Sequence, residues 1–122
     1  MKRLTRPLLI AAVAAAALGL AACASPAPSV VGDWGDSGDQ REPSLTFEKD
    51  GKYHGTDGCN RVSGSWQADG NIVDLGVMIS TLMACEGVDT WLTNAKTAEV
   101  KGDTLVFVDE NENEIGTLER ED

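Results

Sequence analysis

From Val30 onward the chain is punctuated so often that only short strands fit between the breaks. Asp50-Gly51, Asp69-Gly70, Gly102-Asp103 and the polar run Asp109 to Asn113 interrupt its apolar stretches. Such dipeptides set the turns of hairpins, so the intervening residues are expected to pair antiparallel. Leu45 and Phe47 alternate with Thr46 and Glu48, and Val62, Gly64 and Trp66 alternate with Ser63, Ser65 and Gln67. That period of two belongs to strands with one buried face. Leu105 to Val108 is apolar on both faces. Strands are therefore expected near 30–34, 44–49, 52–57, 61–67, 71–75, 97–101, 104–108 and 114–119. One stretch reads as helical: Val88, Trp91, Leu92 and Ala95 recur at i, i+3, i+4 and i+7, with Asp89 or Thr90 as cap, predicting two turns over 89–96. After residue 22 only 35 of 100 residues are apolar and 12 are glycine. So thin a core favours closure, which removes exposed strand edges. The expected architecture is mainly β: a small antiparallel, partly open (cracked) β-barrel with one short α-helix, a sandwich being the alternative.

The first 22 residues carry a different message. Met1 to Arg6 is cationic, and Leu8 to Leu20 is an apolar run of 13 residues. A secretory signal has an apolar region of roughly 7 to 15 residues, whereas a membrane-spanning helix needs about 20. Leu20-Ala21-Ala22-Cys23 resembles the lipobox of bacterial lipoproteins, in which the cysteine is acylated and becomes the new N-terminus. The reading is thus residues 1–22 as a removed signal, 23–29 as a lipidated N-terminus and proline-containing tether, and 30–122 as one domain. An ordinary signal peptide, with Cys23 free or paired, is the alternative. With Cys23 acylated, the other two cysteines remain as an even pair, as expected of an exported protein. The implied location is the cell envelope, outside the cytoplasm, with the membrane as partner through the anchor.

Charge excludes some partners. Beyond residue 22 there are 7 basic against 20 acidic side chains, a formal −13. A field of that sign repels phosphate backbones and anionic lipid head groups, so nucleic-acid binding and polybasic membrane attachment are both disfavoured. No nucleic acid is expected as partner.

Gly58-Cys59-Asn60-Arg61, Gly64-Ser65-Trp66 and Ser80-Thr81-Leu82-Met83-Ala84-Cys85, ending in a strand such as Asp103 to Phe107, together resemble the META domain, the HslJ-like family. The resemblance covers roughly residues 30 to 120, and the two cysteine segments are its most specific part. It implies a cracked β-barrel with one helix, a disulfide between Cys59 and Cys85, export or lipid anchoring, and a role in envelope stress and antibiotic tolerance. It brings no catalytic residues. The segment between Trp34 and Leu45 is shorter than usual in the family, as is the expected helix. Closing a loop of 26 positions stabilises by roughly 3 to 4 kcal/mol in the chain-entropy model.

Constellations that could carry chemistry are weak. Gly35-Asp36-Ser37-Gly38 mimics the surroundings of a serine nucleophile, with His54 as the available base, but the order is wrong for the trypsin-like arrangement and the scaffold too small. Asp109 to Asn113 begins like a calcium loop, yet Glu114 stands where glycine is needed and Arg120 where a bidentate glutamate is needed. One histidine and two paired cysteines leave no zinc set, so neither metal nor cofactor is expected. Trp34, Trp66 and Trp91, with Met78 and Met83, are expected either as core or as the lining of a ligand site. Val77 to Met83, the most apolar stretch of the domain, is expected as a buried strand or as the lining of an open barrel that takes an acyl chain or exported partner. The overall expectation is a non-catalytic envelope lipoprotein, with a binding module as alternative and an enzyme as a distant third.

Overall fold

The computed structural model describes residues 29–121. The expected signal, Cys23 and the expected tether up to residue 28 lie outside the described residues. Ten strands are found among the described residues: β1 (Gly32–Gly35), β2 (Ser44–Phe47), β3 (Lys52–Thr56), β4 (Arg61–Ser65), β5 (Gln67–Asp69), β6 (Ile72–Asp74), β7 (Ile79–Ser80), β8 (Thr97–Lys101), β9 (Thr104–Val108) and β10 (Glu114–Glu119). They form two five-stranded antiparallel sheets, ordered β1-β2-β3-β4-β7 and β10-β9-β8-β6-β5.

The mainly β, partly open architecture expected from the sequence is present, as two sheets and not as a closed barrel. One side is stitched: Trp34 bridges to Arg120, and the Glu121 amide donates to the Asp33 carbonyl at 2.9 Å. On the other side the chain crosses between sheets at Trp66, while β7 and β5 end their sheets unpaired with one another. The expected strand 61–67 is therefore two strands. Up to Ser65 it pairs with β3, and from Gln67 with β6.

Alternating side chains from both sheets meet in one core. Leu45 and Phe47 on β2, Tyr53 on β3 and Val62 on β4 face Ala98 and Val100 on β8, Leu105 and Phe107 on β9, and Leu118 on β10. Trp34 is fully buried, its Nε1 donating to the Val30 carbonyl at 2.8 Å and the Arg120 guanidinium lying 4.1 Å from its ring centre. That cation over an indole face closes the stitched side. Arg120 also donates to the carbonyls of Val31 and Ser29, which fixes the start of the described chain beside β1.

Two glycines inside strands serve packing. A Cβ on Gly64 would stand 2.6 Å from Cζ of Tyr53, its cross-strand partner, and one on Gly116 would stand 2.6 Å from the Trp91 indole. The missing side chains are the space those rings occupy.

The expected helix over 89–96 is corrected to a 3-10 turn, Trp91–Asn94. Thr90 makes no side-chain cap bond, and Ala95 is already extended at φ −70°, ψ 136°. With Thr90, Thr93 and Asn94 disfavouring helix, so short a segment cannot offset its nucleation cost. It seats Leu92 in the core and lays Trp91 edge-on to Phe107, 5.6 Å between ring centres.

Candidate functional site

The two cysteine segments fold into a single clamp. Asp57 starts it: its amide donates to the Asn60 carbonyl, and its Oδ1 accepts from the amides of Cys59 and Asn60 at 2.9 and 2.6 Å. This Asx-type turn needs Gly58 at φ +98°, where a Cβ would also press on the Arg41 carbonyl at 2.7 Å. Asn60, itself buried, then reaches across to the second segment. Its Oδ1 accepts from the Thr81 hydroxyl at 3.0 Å and the Met83 amide at 2.5 Å, and its Nδ2 donates to the Met83 carbonyl at 3.4 Å. The Arg61 amide donates to the Thr81 hydroxyl, and the Thr81 amide to the Arg61 carbonyl, both at 3.1 Å. Cys59 and Cys85 close the arrangement with a disulfide.

The clamp turns the intervening side chains outward. Leu82 is 98% exposed, Val77 82%, Ile79 66% and Met83 63%. The sequence expectation of a buried strand or an internal lining here differs from the structure, and the reason lies in the clamp. Because Asn60 binds both the amide and the carbonyl of Met83, the backbone of this segment faces the protein and its side chains face solvent. Only Met78 packs against the core. Ile79 borders a shallow groove of about 370 Å³ on the outer face of the first sheet, shared with His54, Arg61, Ser63 and Thr81.

The other candidate residues are scattered. Trp34 is core, whereas Trp66 and Trp91 are partly buried against it at different places: Trp66 donates from Nε1 to the Glu48 carbonyl and meets Phe47 edge-on, and Trp91 covers Gly116. The tryptophans and methionines do not surround one cavity. Ser37 donates to Glu121 at 2.8 Å and His54 pairs with Glu48 at 3.2 Å, so the nucleophile-like serine and the histidine are engaged elsewhere. Asp109 to Asn113 is the turn between β9 and β10, with the Asp109 carboxylate accepting from the amides of Asn111 and Asn113. Those bonds hold its carboxyl below the usual range. Among the described residues no group of three His, Cys, Asp or Glu side chains is placed to hold a metal.

The sequence reading quoted Asn60 and Arg61 without giving them a role. An available signal was charge: Gly76 to Cys85 contains no ionisable residue apart from its terminal cysteine, in a chain with 20 carboxylates.

Two antiparallel sheets, a core stitched by a tryptophan under an arginine, and one disulfide-pinned loop define a small all-β, cystine-containing domain. The family model of the META domain matches residues 25–122, and the chain belongs to that family. Searches of the curated proteins and of the solved structures find no match.

Proposed function

We propose that this chain is a non-catalytic lipoprotein of the cell envelope, anchored through acylated Cys23 and serving envelope stress tolerance. The observation that carries it is the cysteine pairing. Cys59 and Cys85 are joined, which leaves Cys23 as the remaining cysteine, just beyond the Leu8–Leu20 apolar run. A structural disulfide supports an oxidising compartment, and a cysteine at that position supports acylation. Family membership supports the same setting. Among the described residues the candidate serine and histidine are engaged elsewhere, Ser37 with Glu121 and His54 with Glu48, which supports presentation over turnover.

Metabolic labelling with a palmitate analogue in a bacterial host tests the anchor. The wild-type chain takes up label and fractionates with membranes, and Cys23→Ser abolishes both. Label retained in Cys23→Ser overturns the reading. A deletion strain challenged with heat and envelope-directed antibiotics tests the stress role, with reduced survival expected and restoration by the wild-type gene.

A binding module is the second reading, favoured by the outward-facing Leu82. The space between the sheets is filled by Trp34, Phe47, Tyr53, Leu75 and Phe107, each essentially inaccessible, so that the binding surface lies on the outside of the fold.

A further inference from the structure

The uncharged loop and the strands beside it form a surface unlike the rest of the molecule. Only three of the chain's 20 acidic residues fall between Gly51 and Cys85. Asp57 is fully buried in the clamp, and Asp69 and Asp74 belong to the second sheet. The same stretch carries Lys52 and Arg61, both exposed, together with His54. His54, Ser63 and Ile79 are cross-strand neighbours on the outer face of β3, β4 and β7, and Arg61 borders the same groove. Carboxylates border it at Glu48, held by His54, at Asp50, which accepts from the Lys52 amide, at Asp33, bonded to Thr46 beside His54, and at Glu86, just beyond Cys85. Four large apolar side chains stand exposed at this edge: Val77, Ile79, Leu82 and Met83.

Exposed apolar side chains are a liability unless they meet something, and here they are not a fraying end but are fixed outward by Asn60 and the disulfide. We propose that the outer face of β3, β4 and β7, with Val77 to Met83 at its edge, docks onto the surface of a lipid bilayer carrying anionic headgroups. Leu82 and Met83 enter the boundary between headgroups and acyl chains, while Lys52 and Arg61 meet the phosphates. Three observations favour a bilayer over a shaped protein partner. The apolar residues protrude, which suits a fluid medium. Lys52 and Arg61 lie on the same face in the stretch poorest in acidic residues, so this is the face an anionic surface repels least. The third is reach. Five residues lie between Cys23 and Ser29, and the six steps from one to the other span at most about 22 Å when extended. Ser29 sits beside β1, three strand spacings or about 14 Å from β4. An anchor at Cys23 therefore allows the face to lie flat on the membrane.

The proposal rests on the anchored reading for proximity alone. The test uses the mature acylated protein in vesicles of equal parts phosphatidylcholine and phosphatidylglycerol, with Leu82→Trp as reporter. Its emission is expected to shift to the blue and to be quenched by lipids brominated in the acyl chain. The pre-existing tryptophans, unquenched in the wild-type protein, give the baseline. Quenching falls in pure phosphatidylcholine and in high salt. In the unacylated chain from Ala24, Leu82→Asp weakens vesicle binding about tenfold or more, the loss of one inserted leucine. Reporter emission unchanged on vesicles to which the acylated protein is bound overturns the proposal while leaving the anchor intact. A protein that does not remain with the vesicles shows instead that the anchor has failed. A blue-shifted reporter without vesicles, in a chain that sediments as a dimer, also overturns it and assigns the face to a second copy.

Discussion

Replacing Cys59 and Cys85 by alanine removes a link that closes 26 positions of chain. In the chain-entropy model that closure is worth about 12 cal/mol/K, or about 3.5 kcal/mol at 25 °C. A body the size of residues 29–121 unfolds with an entropy of about 0.2 kcal/mol/K, so the midpoint should fall by about 18 °C. The folded state should change little, because Asn60 still holds Thr81 and Met83 by three hydrogen bonds. The loss is then borne by the unfolded chain, which gains freedom, and not by the native clamp. Circular dichroism at 20 °C should superimpose on that of the wild type, and a thermal melt should show the shift, reproduced in the wild type by a reductant. A fall of less than about 5 °C would refute the entropic account, since the unfolded chain would then already hold these segments together. Native spectra altered at 20 °C would refute the other half, showing that the hydrogen bonds depend on the covalent link.

Two further changes probe the core. Gly64→Ala sets a methyl against the buried Tyr53 ring, whose hydroxyl is tied to the Leu75 carbonyl at 2.8 Å, so the ring cannot yield cheaply. Chemical denaturation should show a loss of about 1–3 kcal/mol, and equal or greater stability would show that the sheet spreads to admit the methyl. Tyr53 itself predicts alkaline sensitivity: burial, reinforced by nearby Asp74, pushes its hydroxyl from 10.0 up to about 12. The unfolded chain loses this proton first, so the contribution is full below pH 10 and disappears as pH rises through 12, amounting to about 3 kcal/mol. Tyr53→Phe should cost about 1 kcal/mol at neutral pH yet flatten that alkaline decline, and a decline of unchanged depth would assign it to other groups.

How far the fold could be read from residues depended on whether the relevant force was local. The strands were legible where one face is buried: the alternation in Leu45 to Phe47 and in Val62 to Trp66 reappears as buried Leu45, Phe47 and Val62. The break at Trp66 was not, because its indole still leans on the core while its backbone neighbours change from β3 to β6. Pattern along one strand carries no record of which partner it pairs with. The turn at Trp91–Asn94 was placed correctly and given the wrong geometry, since periodicity locates an apolar face without measuring the cost of starting a helix. Not every glycine marks a turn: Gly64 and Gly116 lie within strands and make room for Tyr53 and Trp91.

The apolar run from Val77 to Met83 marks the sharper limit. Hydrophobicity argues for burial in one direction only, and what decides the outcome here is a distant asparagine. The residues most specific to the META resemblance, Gly58, Cys59, Asn60, Thr81 and Cys85, spend their side chains or their conformational freedom on one another. Leu82 lies between them and touches little, as its 98% exposure records. The motif is therefore a mount, and what it displays is chosen by the positions it leaves free. It follows that a chain altered at Val77, Ile79 and Leu82 alone should keep its clamp, its disulfide and its melting point while losing whatever the face meets. Surface substitutions that leave stability unchanged and abolish an interaction separate presentation from folding, and this loop is built so that the two can be separated.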